Sequence, residues 1–541
     1  MRARLVLLSA CLLACDPAPV VDAGPSDAGP DSATDTGPAD AGPDRGALCD
    51  ALSLPRRAFD ASATGTGFEE TVGDFTVATL DGDWTLSEQW SGCESYVFVL
   101  HTPSEYGEGL FTSVPDAIFT EGPKNVHYFF GTWDSEGAEM RAEAYREYVE
   151  EGFDIQGLSA DDLVHWRAHV HYLTEPMGDV DGGLAGFLAG AGRFQNAFAI
   201  TPQQRLDPVG SLMAVGAGGF RPLMEMARFF APYYDYVAAL DERIAASDAT
   251  VVSILEDETL TARTVDREVT LPSLSGFDTL EVDVELTCLL SPGDCSEWDR
   301  IAHLFVCVDS ECAERRELVR WITPYSRPGR RRWLMDATPL MGLLEGGGAQ
   351  TFRVVFGPDW EEATERVVSV SLRLRDQARG EVPLGAELAF TGGTFNAEYN
   401  DGRAPFVVTR PAGATRAELV TIVSGHGQEA SNCAEWCDHE HAFTAAGGTA
   451  HTVRFPGQAG QPNGCAARTG EGVVPGQWGN WAPLRAGWCP GLPVAPVRHD
   501  ITADLPEGVA TEITYEASFA GGVPPGGTIS LSTYVVFYGP G

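Results

Sequence analysis

From residue 255 onward, apolar and polar residues alternate in short runs, LEVDVELTCLL, IAHLFVCV, TFRVVFG, VVSVSLRLR and AELAFTGG, separated by Gly, Pro and Asp. A period of two places successive side chains on opposite faces of a strand, so each run predicts a strand with one face toward a core. The texture continues through APFVVTR, AELVTIVSG, HTVRFPG, EITYEASF and ISLSTYVVFYG, and helical periodicity is scarce. Many short strands punctuated by turn residues predict two antiparallel β-sandwiches of jelly-roll type, over residues 255–394 and 395–541. Residues 47–250 have a different pattern. YVFVLH (Tyr96 to His101) and NVHYFFGTW are continuous apolar strands, AEMRAEAYREYVEEG is helical, and FAITPQQRLDPVGSL reads as strand, turn, strand. That mixture predicts an α/β domain ahead of the sandwiches.

The element order in this first domain, with DFTVATLDGDWTLSEQWSG before its first central strand, resembles the thioredoxin-like fold in its exported, redoxin-type versions. The likeness departs where the chemistry would be. The strand is followed by HTPSEYGEGL, which has no C-x-x-C pair for thiol exchange, and Cys93 lies before the strand. The domain is therefore expected to be redox-inactive, a spacer or a substrate-recognition module.

The chain opens MRARLVLLSACLLACD: two arginines, then an apolar run too short to span a bilayer. This is the pattern of an export signal. LLAC resembles the lipobox of bacterial lipoproteins, which implies a signal over residues 1–14 and lipidation at Cys15. LSAC, ending at Cys11, fits nearly as well, and an ordinary secretory signal is the alternative. Residues 15–46 are built from Asp, Ala, Gly and Pro and cannot bury enough surface to fold, so they predict an extended linker. The expectation is an exported monomer, anchored through lipid to a bacterial membrane. A formal charge of −41 over 541 residues makes nucleic acid an unsuitable partner.

Ten cysteines remain after Cys11 and Cys15, an even number in an exported chain. Local spacing nominates Cys288 with Cys295, Cys307 with Cys312, and Cys433 with Cys437. Cys49 with Cys93 would close the first folded domain and Cys465 with Cys489 the last.

Three islands interrupt the strands with acids, arginines and tryptophans: GDCSEWDR (293–300), SNCAEWC (431–437) and GNWAPLRAGWCPG (479–491). By residue type alone the second island is ambiguous. Cys433, Cys437, His439 and His441 are a possible zinc set, the cysteines could instead be a staple, and the staple could present Glu435. The islands, together with ITPY (Ile322 to Tyr325), resemble the peptide-N-glycosidase F family. That resemblance spans most of the C-terminal half and implies amidase activity on N-linked glycoproteins or glycopeptides, releasing the glycan and leaving aspartate.

The resemblance also implies site roles. The island cysteines would be a disulfide, Asp299 and Glu435 the catalytic acids, and Arg485 an active-site cation. Arg300 follows Asp299 directly. Trp298, Trp436 and Trp481 offer faces on which sugar rings could lie. The family has a further glutamate two residues before a tryptophan; VVFGPDW here keeps Trp360 but puts Pro358 at the acid position, with Asp359 or Glu361 as the neighbouring acids. No metal or cofactor is expected, because two carboxylates and two guanidiniums can activate water, stabilise a carbonyl oxygen and protonate a leaving amine. The competing readings are an endo-acting glycosidase, since paired acids also serve acetal hydrolysis, and a glycan-binding surface lipoprotein with decayed catalysis.

Overall fold

The structure is a computed structural model that describes residues 46–133, 137–191, 196–216, 219–288, 296–357, 365–427 and 432–541. The expected signal, Cys15 and the linker up to residue 45 lie outside the described residues, as do Cys295, Pro358, Asp359, Trp360 and Glu361.

In the first domain, β1 (Ser95–His101) is buried along its whole length. β2 (Val126–Thr132) and β3 (Val170–Tyr172) extend the sheet in parallel on one side, while β4 (Ala197–Ile200) and β5 (Leu206–Pro208) add an antiparallel pair on the other. Strands covered on both faces need continuous apolar runs, which is why YVFVLH shows no alternation. Helices α1 (Ala138–Gln156), α2 (Ala160–His169) and α3 (Phe230–Ala245) accompany the sheet. Ser159 caps α2 by accepting the Asp162 N–H, the usual solution for an orphan donor in a first turn.

The first sandwich contains β6 (Thr250–Leu260), β7 (Thr264–Leu271), β8 (Thr279–Cys288), β9 (Ile301–Cys307), β10 (Arg315–Ile322), β11 (Gly329–Asp336), β12 (Gly348–Phe356) and β13 (Arg366–Arg375). Its two antiparallel sheets run β6-β13-β8-β11 and β7-β12-β9-β10. The second sandwich repeats this order with β14 (Glu381–Thr394), β15 (Phe406–Thr409), β16 (Arg416–His426), β17 (His439–Ala445), β18 (Ala450–Arg454), β19 (Val497–Asp500), β20 (Ala510–Phe519) and β21 (Thr528–Pro540), as β14-β21-β16-β19 and β15-β20-β17-β18. In both, the first and last strands are neighbours, the order of a jelly roll. One expected boundary moves. β14, which contains AELAFTGG, pairs with β21 along its length, so the second sandwich begins at Glu381 rather than 395. Alternation announces a strand but not the sheet it joins.

The two sandwiches meet across a buried ion pair. Arg320 donates to both Glu317 oxygens at 2.8 and 2.6 Å and reaches across the seam to the Ser424 hydroxyl (3.0 Å) and the Ser530 carbonyl (2.7 Å). Ser532 and Tyr534 donate back to Glu317 from the second sandwich. A buried charge so fully hydrogen-bonded fixes register, because any slip would leave it unpaired.

The first domain is an integral part of this body, not a spacer. Arg327 is wholly buried and donates to Asp207 at 3.0 Å, and Tyr234 donates to the same carboxylate oxygen at 2.8 Å. Arg330 and Arg332 both reach Asp241 of α3 at 3.1 Å. One continuous apolar core joins Tyr128, Trp166, Phe230 and Tyr233 of the first domain to Leu286, Trp333 and Leu492.

Four expected disulfides are formed among the described residues, Cys49–Cys93, Cys307–Cys312, Cys433–Cys437 and Cys465–Cys489; the Cys288–Cys295 pairing falls outside them.

Candidate active site

A cleft of about 960 Å³ opens along the seam of the sandwiches. Three chain segments distant in sequence supply its polar wall, and each is held by local chemistry.

Asp299 lies in the loop that enters β9. The next residue is anchored on both sides: Thr323 Oγ1 accepts the Arg300 N–H at 2.9 Å, and the Thr323 N–H donates to the Arg300 carbonyl at 2.9 Å. The Tyr325 hydroxyl donates to Asp299. Tyr325 is itself fixed, its N–H donating to Gln477 Oε1 at 2.9 Å and its ring covered by Gly479. A Cβ at residue 479 would come within 2.1 Å of that ring, so the island that begins GNWAP starts with glycine for a steric reason.

Glu435 sits in α4 (Cys433–Trp436), a single turn closed by the Cys433–Cys437 bridge. Asn432 is its N-cap. The Asn432 Oδ1 accepts the Glu435 N–H at 3.2 Å while its Nδ2 donates to Glu435 Oε2 at 2.7 Å, a reciprocal arrangement like a capping box. His439 and His441 are wholly buried and serve this turn through hydrogen bonds. His439 Nε2 meets the Ala434 carbonyl at 2.9 Å, His441 Nε2 meets His439 Nδ1 at 2.8 Å, and His441 Nδ1 meets the Tyr515 hydroxyl at 2.8 Å. With Cys433 and Cys437 bonded to each other, the four residues do not form a zinc set.

Arg485 joins the two acids. It is fully buried, donates from Nε to Glu435 Oε1 at 3.2 Å and from Nη2 to the Tyr325 hydroxyl at 3.2 Å, and is held from behind by the Pro483 carbonyl at 2.8 Å. Its guanidinium lies 4.7 Å from the Trp436 ring and 5.3 Å from the Trp488 ring, both within cation–π reach. The result is one continuous polar chain, Asp299–Tyr325–Arg485–Glu435.

Burial pushes the Asp299 carboxyl above its ordinary range, opposed by Arg485, the Tyr325 hydroxyl and Arg300. Burial likewise raises Glu435 to about 7, and the charge of Asp299 adds to the rise while Arg485 and Asn432 resist it. Two enclosed carboxyls that share one arginine titrate as a pair, and near neutral pH the pair can hold a proton as well as a negative charge.

The cleft thus brings together Trp298, Asp299, Arg300, Glu435, Trp436 and Arg485, six of the residues expected at the site. Trp298 lies at the rim, 47% exposed, with its ring 6.5 Å from that of Tyr325. Trp481 is not in the cleft. It is 1% exposed and packs edge-on against Phe229 of the first domain, 6.4 Å between centroids, so it is a core residue. Trp360 and Asp359 lie outside the described residues; Gly357, just before them, lines the cleft, and the Arg300 side chain packs against it. Tyr325, Asn432, Trp488, His303 and His426 had no role assigned from sequence. Asn432 had a signal, as a cap residue three places before a glutamate, and Trp488 stood in the third island beside Arg485. His303 and His426 carry no local signal; they line the cleft through the seam network, His303 at 2.6 Å from Glu317 and His426 at 2.8 Å from Ser424.

Two stacked sandwiches with an acid pair, a shared arginine and aromatic faces on their seam define a class of protein with a polar cleft between its sheets. Residues 394–536 match the family described as "Peptide-N-glycosidase F, C terminal". The chain is similar to the peptide-N(4)-(N-acetyl-beta-D-glucosaminyl)asparagine amidase F of Elizabethkingia miricola, 31% identical over 251 residues, which is 42% of this chain and 63% of that protein. The chain therefore spans less than two thirds of that relative's length. Among solved structures, PNGase F of Flavobacterium meningosepticum, a glycosylasparaginase, is 20% identical with a TM-score of 0.42, covering 54% of this chain and 96% of its own. PNGF-II is 14% identical with a TM-score of 0.43, covering 56% and 67%.

Proposed function

We propose that this chain hydrolyses the amide bond between asparagine and N-acetylglucosamine in N-linked glycoproteins or glycopeptides. The observation that carries the proposal is the unbroken hydrogen-bonded chain from Asp299 through Tyr325 and Arg485 to Glu435 on the wall of an aromatic-lined cleft. The name of the 31%-identical relative supports the same reading.

In this mechanism Asp299, as carboxylate, takes a proton from a water molecule whose oxygen attacks the amide carbon. Arg485, fixed by Pro483 and Tyr325, stabilises the negative charge that develops on the carbonyl oxygen. The carbon–nitrogen bond breaks, the glycosylamine leaves with a proton, and the side chain becomes that of aspartate. Glu435 anchors the water or the first sugar and, with a pKa near neutrality, can hold the proton the leaving group needs. Trp298 and Trp436 provide apolar faces for sugar rings.

Two further parts of the reading rest on sequence. Export with a lipid at Cys15 is supported by the LLAC stretch; Cys15→Ser is expected to abolish membrane association, and unchanged association, with Cys11 also replaced, would refute it. A thioredoxin-like relationship of the first domain is supported by its parallel β1–β2 pair flanked by the antiparallel β4–β5 pair.

The test of function is a mass spectrum of a glycopeptide incubated in water labelled with heavy oxygen. Amide hydrolysis gives an intact glycan and an aspartyl peptide carrying one label. Asparagine with a sugar stub would mean a glycosidase, and binding without cleavage would mean a glycan-binding protein. Asp299→Asn is expected to abolish the reaction with the fold preserved.

A further inference from the structure

The first domain has no thiol pair after β1, but the opposite end of its sheet carries a cluster of imidazoles around one carboxylate. Glu94 immediately precedes β1, His127 is the second residue of β2, and His169 ends α2 just before β3. The sheet register therefore gathers all three at the leading edges of adjacent parallel strands. His169 Nε2 lies 2.9 Å and His127 Nε2 3.5 Å from the same oxygen, Glu94 Oε1, and the three atoms all fall within 4.8 Å of one another. We propose that Glu94, His127 and His169 form a binding site for a divalent transition metal of the zinc class.

The second nitrogen of each ring carries the argument. His169 Nδ1 is 2.7 Å from the His165 backbone carbonyl, which can only accept, so Nδ1 bears a hydrogen and Nε2 is the nitrogen turned toward Glu94. His127 Nδ1 lies 2.9 Å from His171 Nε2, so Nε2 is likewise the His127 nitrogen that faces Glu94. Without a metal, a proton on either ring joins it to Glu94; a divalent cation would take that proton's place and accept both Nε2 atoms together with Oε1. Metal-bound histidines characteristically donate their remote N–H to a carbonyl or a similar acceptor, which fixes tautomer and ring angle; the His165 carbonyl serves His169 in this way, and His171 Nε2 stands at the matching position for His127. Zinc bonds of about 2.0–2.2 Å put tetrahedral ligand atoms roughly 3.3 Å apart, between the two distances found. Imidazole and carboxylate together suit zinc better than calcium or magnesium, which prefer oxygen alone.

The site is enclosed yet reachable. The Glu94 and His127 side chains are 5% and 7% exposed, and His169, at 16%, is the edge that meets solvent and leaves a fourth position for water. The rings are already stacked, His127 on His169 at 4.4 Å and His165 on His169 at 3.9 Å, so little side-chain freedom remains to be lost on binding. The cluster belongs to the first domain and is separate from the residues of the seam cleft, so the proposal does not depend on the amidase reading. Its consequence is structural: a metal here would tie Glu94, next to the Cys49–Cys93 bridge, to two strands and a helix.

The test uses the full chain without any histidine tag, stripped with a chelator, dialysed against micromolar zinc chloride and passed over a desalting column. About one zinc per chain is expected by elemental analysis, with a rise in melting temperature, and cobalt substituted for zinc should give the intense visible absorption of a four-coordinate site. His169→Ala should reduce retained metal below a tenth, and His171→Ala should weaken binding about 10–100-fold through loss of ring orientation. If His169→Ala fails to fold, Glu94→Gln, which keeps the side-chain size, is expected to abolish the cobalt spectrum with native circular dichroism. Absence of stoichiometric zinc in the folded wild-type chain, or equal retention by a folded Glu94 or His169 variant, would overturn the proposal.

Discussion

Replacing Glu435 by glutamine is expected to make the protein progressively more stable relative to wild type as pH rises. Folding lifts the Glu435 carboxyl from 4.5 to about 7, with burial as the main cause. A carboxyl whose pKa is raised by folding holds its proton more tightly in the native chain than in the unfolded one. Its contribution to stability is therefore complete below pH 4.5 and lost as pH rises through 7. A rise of about 2.5 units corresponds to roughly 3 kcal/mol at about 1.36 kcal/mol per unit. Glutamine does not titrate and escapes that loss. It also relieves Asp299 of a neighbouring charge, which works in the same direction.

The glutamine amide will set an N–H against either Asn432 Nδ2 or Arg485 Nε, but that cost is the same at every pH and cancels in the comparison. If about 500 residues unfold together, the unfolding entropy is on the order of 1 kcal/mol/K, so the melting temperature of the variant minus that of wild type should increase by about 3 °C between pH 4.5 and pH 8. Differential scanning calorimetry at matched ionic strength measures this directly. A difference that stays flat across the range, or that falls, would refute burial of an ionising Glu435. The same variant should lose glycopeptide cleavage, the usual exchange of stability against function at a strained site.

Tyr325→Phe removes the hydroxyl that donates to Asp299 and accepts from Arg485; hydrogen bonds to charged groups contribute about 1.5–3 kcal/mol, so kcat is expected to fall about 10–150-fold with little change in KM. Trp481→Ala should lower stability by about 3–5 kcal/mol while leaving KM for a glycopeptide unchanged in the surviving folded protein, whereas Trp436→Ala should raise KM; the reverse pattern would put Trp481 back in the cleft. Deleting residues 46–249 should yield insoluble protein, because it strands the buried Arg327 charge and exposes the shared core; a soluble truncation with native circular dichroism would show that the first domain is dispensable.

What was legible in the sequence was the chemistry that is local in the chain. CAEWC announces its own disulfide and its own turn, and the alternating runs announce their strands, because both depend on neighbours a few residues apart. The tryptophans were ambiguous for the opposite reason. Trp481 and Trp488 sit in one island of similar composition, yet the first turns to Phe229 and the second to the cleft, and only a residue some 250 positions away decides which. His303 and His426 were invisible because what places them is a hydrogen-bond network spanning the seam, with no signature in either strand. The histidines of the first domain were equally silent: Glu94, His127 and His169 become neighbours only when three parallel strands align.

The first domain matters to the cleft through the segment that carries Arg485. Between Phe455 and Pro496 the chain has no strand, only the short helical turn Ala466–Glu471 and, after Arg485, a single bridge at Pro493 to β10, so the arginine itself is not held by a ladder of sheet hydrogen bonds. It is pinned instead from outside. The Cys465–Cys489 bridge closes it, the Ser211 N–H donates to the Gly476 carbonyl at 2.7 Å, and Arg327 donates to the Pro475 carbonyl at 3.0 Å while bound to Asp207. Gly476 adopts φ 74°, and a Cβ there would come within 1.9 Å of the Val209 carbonyl, so the approach of first domain to loop is as close as backbone allows. Trp481, edge-on to Phe229, is the apolar part of the same attachment. The guanidinium that joins Asp299 to Glu435 is thus aimed by contacts made on a domain with no residue in the acid pair. Asp207→Asn, which weakens the hold on Arg327, should therefore lower kcat through Arg485 without touching substrate.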